Sequence, residues 1–270
     1  MNILLNDRQN WVIKQISYEL YDLFKNDDDK LYIKNNEYFL FKKRVHYLDT
    51  YRFINKFFYK NNYSVSYFHG YPNSSYNKNL IIKFKKLINI KHKFNKIHVS
   101  HDKMMNYFLE NGVNNEKLIK IPICIDQKYL KKNINDKLII REKYNLPKNK
   151  FIIGSFQKDG EGWGRGDIPK LEKGPDIFVN TMKILKHYIK DIFILISGPS
   201  RGYISNQLKK IDVGFKHINV TDYKDIFELY RSLDLYLVAS REEGGPRAIL
   251  ESLSQRIPVI STPVGQANDI

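Results

Sequence analysis

Apolar positions along the chain change period repeatedly, and each change marks an element. Asn2–Leu5 is apolar enough to open a sheet, and Val12, Ile16, Leu20 and Phe24 then recur every four residues, as on one helix face. The polar, acidic run Asn26–Lys30 ends that helix. Phe39–Phe41 is expected as a second strand and Tyr51–Tyr59 as a second helix. Val65–Phe68 is a strand that stops at the turn signal His69-Gly70-Tyr71-Pro72. Lys78–His92 places Leu80, Phe84, Leu87 and Ile88 at helical spacing among lysines. Lys96–Ser100 predicts a strand, and Asp102–Leu109 a helix closed by Asn111-Gly112. Leu118–Ile125 is a further strand, in which Pro122 marks an edge or an end.

The same alternation runs on after a polar, lysine-rich stretch, Lys128–Leu138 and Arg141–Lys150, which is expected as a linker. Phe151–Phe156 is a strand of the buried type. A glycine-rich loop follows, then a helix from Lys173-Gly174-Pro175 through Phe178, Met182 and Leu185. Phe193–Ser197, His217–Val220 and Leu233–Ala239 are strands, with a helix over Asp225–Ser232 between the last two. This order predicts an α/β protein with doubly wound parallel sheets. The expected boundaries are a first domain over 1–127, a linker over 128–150 and a second domain over 151–270.

Length allows two modest domains. One cysteine, Cys124, excludes a disulfide framework and fits a reducing compartment. Met1–Asn6 lacks the basic start and cleavage site of a signal peptide, and no uncharged apolar stretch reaches bilayer length. A cytoplasmic protein, peripheral to a membrane if in contact with one, is therefore expected. The net charge of +16 is uneven, at about +15 over residues 1–150. One reading is a Lys- and Asn-rich composition without function. Another is contact between the first half and an anionic lipid surface, with the basic helix 78–92 lying on it. A third is nucleic acid. No aromatic-lined basic groove is written in the motifs, so nucleic acid is not the expected partner.

The chemistry concentrates in Ser240–Gly265, SREEGGPRAILESLSQRIPVISTPVG. A strand feeds a loop, and a helix opens near Pro246, a residue suited to a first helical position. Gly244 and Gly245 let the backbone approach a ligand, and the helix start from Gly244 through Pro246 to Arg247 is expected to bind the phosphates. Glu243 and Glu251, with seven residues between them, suit sugar hydroxyls that flank a diphosphate. The turn Gly198–Gly202 sets Arg201 where it would contact phosphate or base, or else it is a plain connecting turn. Gly160, Gly162, Gly164 and Gly166 do not have the spacing of a dinucleotide fingerprint. No Asp-x-Asp pair stands at a strand end, and Asp27-Asp28-Asp29 reads as linker, so neither a metal nor another cofactor is expected.

EGGPRAILE, its small-residue helix and IPVISTPVG resemble the signature of retaining family-4 glycosyltransferases of the GT-B fold. The resemblance extends to SYFHG and to KIHVSHDKMMNYFLENGVNNEKLIKIPICID in the first half. It implies two Rossmann-like domains facing a cleft, the second incomplete because relatives continue beyond the equivalent of Ile270. It implies a nucleotide-sugar donor, UDP- or GDP-linked, a saccharide or lipid-linked acceptor, and transfer with retention and without a metal. Lys173 would bind the diphosphate, Glu243 the donor sugar, Glu251 the ribose, and His69 would orient sugar or acceptor. The arginine that usually partners the lysine is missing, and Lys158 or Arg165 is expected in its place. A nucleotide-sugar-binding protein without turnover is the alternative, and a basic nucleic-acid binder a weaker one.

Overall fold

The computed structural model describes residues 2–5, 12–26, 31–35, 40–72, 76–130 and 136–270. It divides into two compact units, the first over residues 1–123 and the second from Cys124 onward. The acidic run 27–29 and position 39 of the expected second strand lie outside the described residues.

The first unit contains β1 (Asn2–Leu5), α1 (Val12–Phe24), β2 (Leu31–Lys34), β3 (Arg44–Tyr47), α2 (Thr50–Ile54) and β4 (Asn62–Tyr67). It continues with α3 (Lys78–Asn89), β5 (Lys96–Val99), α4 (Asp102–Glu110) and β6 (Leu118–Lys120). Its strands pair in parallel, in the order β2-β1-β3-β4-β5-β6. Alternate residues Val45, Tyr47, Val65, Tyr67, Ile97 and Val99 face one core with Phe84 and Leu87 of α3. The apolar stripe of α3 is thus spent on the core, and its lysines form an ordinary solvated face. The second helix is shorter than its apolar run suggests. Asp49 caps it by accepting the Tyr51 N–H, and at its end Asn55 donates its amide to the Tyr51 carbonyl. β6 also stops early. Ile121 N–H makes a last bond to Val99, and Pro122 has no donor to continue with.

The second unit contains α5 (Lys137–Lys143), β7 (Phe151–Ser155), α6 (Pro175–Leu185), β8 (Ile192–Ser197) and α7 (Gly202–Lys210). It ends with β9 (Phe215–Ile218), α8 (Ile226–Arg231), β10 (Leu235–Val238), α9 (Arg247–Ser254) and β11 (Val259–Ser261). Residues 137–143, expected as linker, are helical. Ile140 and Arg141 are buried, and the Arg141 guanidinium donates to Asp234 at 2.7 Å. The parallel order β11-β10-β7-β8-β9 reverses direction between β7 and β10. In an open α/β sheet, ligands bind outside the carboxyl ends of the strands at such a reversal. Among the described residues no helix is long and apolar enough to cross a membrane.

Candidate functional site

Two loops meet at that reversal, one following β7 and one following β10. The second is strapped to the first through residues 171–176. Arg241 and Glu242 donate their N–H groups to the Glu172 carbonyl at 2.8 and 3.1 Å. The Arg241 guanidinium grips both oxygens of Asp176 at 2.7 and 2.6 Å, a bidentate pair of fixed geometry. Gly174 lies against the end of β10 in the left-handed region, at φ 61°. A Cβ there would fall 1.8 Å from the Ala239 carbonyl oxygen, so only glycine permits the contact.

The approach brings two sequence-predicted residues together. Lys173 Nζ stands 2.6 Å from Glu243 Oε2, with the side chains 27% and 11% exposed. Ser240 Oγ donates to Glu243 Oε1 at 3.0 Å, and Gln157 donates to the Lys173 carbonyl at 2.8 Å. Gln157 and Ser240 were not singled out in the sequence, although each lies within two residues of its strand. Gly265 closes the floor. Its Cβ would meet the Glu243 carbonyl oxygen at 2.7 Å, which ties the Val264-Gly265 turn to the loop.

Beyond Gly244 and Gly245 the chain enters α9. Pro246 is extended, at ψ 92°, and precedes the first helical residue instead of occupying it; the proline at a first helical position is Pro175 of α6. Glu251 faces inward from α9 and is 5% exposed. The Tyr223 and Tyr230 hydroxyls donate to its two oxygens, the latter at 2.8 Å. Arg247 lies one turn earlier, buried, with Nε 3.6 Å from Glu251 Oε1 and its guanidinium 5.2 Å from the Tyr223 ring centre. A carboxylate oxygen has two lone pairs, so Glu251 keeps acceptor capacity beside each tyrosine.

The expected cations fare differently. Arg201 lies inside the unit, not on the surface of its turn. Its guanidinium donates to the carbonyls of Ser155 and Ser197 at 2.8 and 2.9 Å and to Ser155 Oγ at 3.0 Å. Its Nε lies 3.1 Å from Asp159 in a wholly buried charge contact. Burial pushes the Asp159 carboxyl upward, and the Arg201 charge opposes it. Arg165 is exposed and bound to Asp167 and Asn206. Lys158 follows Gln157 directly. Its Nζ donates to the Gly160 carbonyl at 3.2 Å and sits 4.8 Å from the Trp163 ring centre. Desolvation, with the neighbouring Lys170 charge, brings its pKa down to about 8. His69 belongs to the first unit, just past β4. Its ring stacks on Tyr51 at 4.5 Å and meets Tyr67 edge-on at 5.4 Å.

Residues 164–270 match the family model described as glycosyl transferases group 1. The lipopolysaccharide core biosynthesis mannosyltransferase LpsB of Rhizobium meliloti (strain 1021) is 26% identical over 106 residues, which is 37% of this chain and 30% of that protein. Among solved structures, Anabaena Alr3699/HepE in complex with UDP-glucose aligns with a TM-score of 0.73 at 14% identity, over 100% of this chain and 82% of that one. A mutant of S. aureus TarM, solved with fondaparinux, alpha-GlcNAc-glycerol and UDP, aligns with a TM-score of 0.63 at 12% identity, over 84% of this chain and 43% of that one. The chain thus spans less than half the length of LpsB and of TarM. At such identities the structural likeness establishes the fold. Residues 164–270 thus resemble a glycosyl transferases group 1 domain, and the chain folds as two Rossmann-like α/β units with parallel sheets.

Proposed function

We propose that the chain transfers a sugar from a nucleotide-activated donor to an acceptor hydroxyl, with retention at the anomeric carbon and without a metal. The observation that carries this reading is the Lys173–Glu243 pair, held at the mouth of the strand reversal by the Gly174 and Arg241 straps. Departure of the diphosphate builds negative charge on the leaving oxygen, and a preorganised cation aimed there lowers the barrier. Lys173 fits that task, and Lys158, which follows the Gln157 that binds the Lys173 carbonyl, is assigned to the place of the missing arginine. Glu243, already fixed through Ser240, accepts hydroxyls of the donor sugar and faces the carbon that becomes oxocarbenium-like. Each charge of the pair satisfies the other. The donor exchanges that contact for diphosphate at Lys173 and sugar at Glu243.

Glu251 is assigned to the ribose hydroxyls, and the two tyrosines fix the direction of its free lone pairs. His69 keeps the role of orienting sugar or acceptor. A UDP-linked donor is preferred, because HepE is described in complex with UDP and UDP-glucose and its fold aligns over this whole chain. The test is a thermal-shift screen against UDP, GDP, ADP and their sugars, followed by a transfer assay in the presence of a chelator. A rise in melting temperature with UDP and UDP-sugars is expected by mass action. No shift with any nucleotide would overturn the reading, and turnover abolished by the chelator would overturn its metal-independent part.

A further inference from the structure

In a parallel sheet every strand begins on the same edge. In the first unit, residues 40–43, 57–61 and 91–95 lead into β3, β4 and β5 on that edge. The edge is unusually apolar at its surface. Phe57 is 87% exposed and Phe41 58%, with the half-exposed Tyr59 edge-on to Phe41 at 5.9 Å. Single exposed apolar residues are ordinary, but grouped rings on a fixed backbone are not. Here the backbone is fixed. Lys42 N–H donates to the Lys60 carbonyl and Asn62 N–H to the Lys43 carbonyl, both at 2.8 Å. Asn61 accepts the Lys43 N–H at 2.9 Å and donates to the Leu40 carbonyl at 2.8 Å. Phe58, between the two outward residues, turns inward onto Phe53 and Tyr63.

Cations rim the rings. Lys42 and Lys60 are exposed, and Lys93 Nζ lies 5.8 Å from the Phe58 ring centre. From residue 40 to 62 the one acidic residue is Asp49. It caps α2 after the end of β3, on the opposite edge. We propose that the β3–β5 part of this amino-terminal edge docks on an anionic lipid surface, with Phe41 and Phe57 at the headgroup boundary and Lys42 and Lys60 on the phosphates. The charge rim selects this occupant. A two-fold contact between copies of the chain would set lysine rim against lysine rim, whereas an acidic membrane attracts each lysine near its surface. Docking here leaves the carboxyl edge of the same sheet, where His69 follows β4, facing away from the lipid. The proposal does not depend on the donor-site reading.

The test is co-sedimentation of the full chain with vesicles of phosphatidylcholine and phosphatidylglycerol in three-to-one ratio, against phosphatidylcholine alone. Partition into the anionic vesicles, weakened by salt, is expected. Phe57→Ser, and Lys42→Glu with Lys60→Glu, should each lower partition by about tenfold. Lys85→Glu with Lys86→Glu, on the exposed face of α3, should lower it much less. Because these positions are exposed, unchanged melting curves will verify folding. No partition, equal partition into both vesicle types, or loss with the α3 variant alone would overturn the proposal. So would a dimer that Phe57→Ser converts to monomer without any vesicle binding.

Discussion

Two ion pairs stand beyond the carboxyl edge of the second sheet, and their surroundings give them opposite work. Asp159 follows β7 and Arg201 follows β8, and both are sealed from solvent. The Arg201 guanidinium is consumed by carbonyls of the two strands and of the loop after β7. Lys173 and Glu243 flank α6 and β10 and remain partly open, with one strong contact between the charges. A buried pair cannot release a partner without leaving an uncompensated charge, so it serves the fold. A half-open pair can trade its contact for a ligand's. Exposure, more than residue type, separates a pair locked into the fold from one that a ligand can reach.

The sharpest way to break this contrast is Arg201→Ala. It strands Asp159 in a desolvated site and frees carbonyls of β7 and β8, so a loss of about 3–5 kcal/mol is expected in denaturant unfolding. Arg201→Met combined with Asp159→Leu should recover part of that loss, because no charge is then left buried. If Arg201→Ala unfolds normally but loses nucleotide binding, the two pairs have been assigned the wrong way round. Lys173→Ala and Glu243→Ala are the mirror test. Each should lower turnover by roughly 10²–10³-fold, with melting temperature nearly unchanged because the straps through Gly174 and Arg241 remain. Wild-type-like transfer in either variant removes the site from this pair.

The sequence displayed the half-open pair well and the sealed pair badly, for a physical reason. Glu243 is tied to strand–turn–helix grammar, since Gly244-Gly245 follow a strand end, and Lys173 was reached through the family resemblance at the Gly174-Pro175 step. Arg201 has the same grammar, a Gly-Pro turn after an apolar strand. Whether its side chain turns outward or inward depends on Ser155 and Asp159, more than forty positions earlier. The strand β3 was missed because His46 interrupts its apolar run. His46 finds its partners only across the sheet, with Nδ1 2.8 Å from Ser64 Oγ and Nε2 2.9 Å from Ser66 Oγ. A polar residue satisfied by another strand leaves no mark in its own stretch of chain.

His46 extends the comparison to the first unit, where its ring is satisfied by serines on a neighbouring strand. Its Ser66 partner lies 3.0 Å from His98 Nδ1, and His98 Nε2 donates to the Ile121 carbonyl at 2.7 Å. That last bond makes His98 Nδ1 an acceptor, and the chain runs consistently if Ser66 donates to it and accepts from His46 Nε2–H. Both imidazoles are then neutral. Burial, with His98 nearby, brings the His46 pKa down to about 4 from 6.5. As pH falls below about 6.5 the unfolded chain takes up a proton first, so stability declines until about pH 4 and then levels. The decline attributable to His46 is about 3 kcal/mol. Urea unfolding from pH 7 to pH 4 measures it, and His46→Gln should flatten the profile. An equal acid loss in His46→Gln would assign the effect elsewhere.

Lys158 lies between the two kinds of pair, and it offers the finest test of the contrast. It is partly desolvated where Arg201 is sealed, and it stands beside Gln157 on the loop that meets Lys173. Its pKa of about 8 arises first from burial and then from the Lys170 charge. If Lys158 meets the diphosphate, its ammonium form is the binding form. UDP affinity should then be full below pH 7 and fall as pH rises through 8 toward 9, by up to about tenfold per unit once the free protein has lost the proton. Arginine stays charged throughout that range. Lys158→Arg should therefore bind UDP with an affinity that changes little between pH 7 and pH 9, as calorimetric titration can determine. If the wild type shows no such fall, Lys158 belongs with Arg201 as part of the scaffold, and Lys173 meets the diphosphate without it.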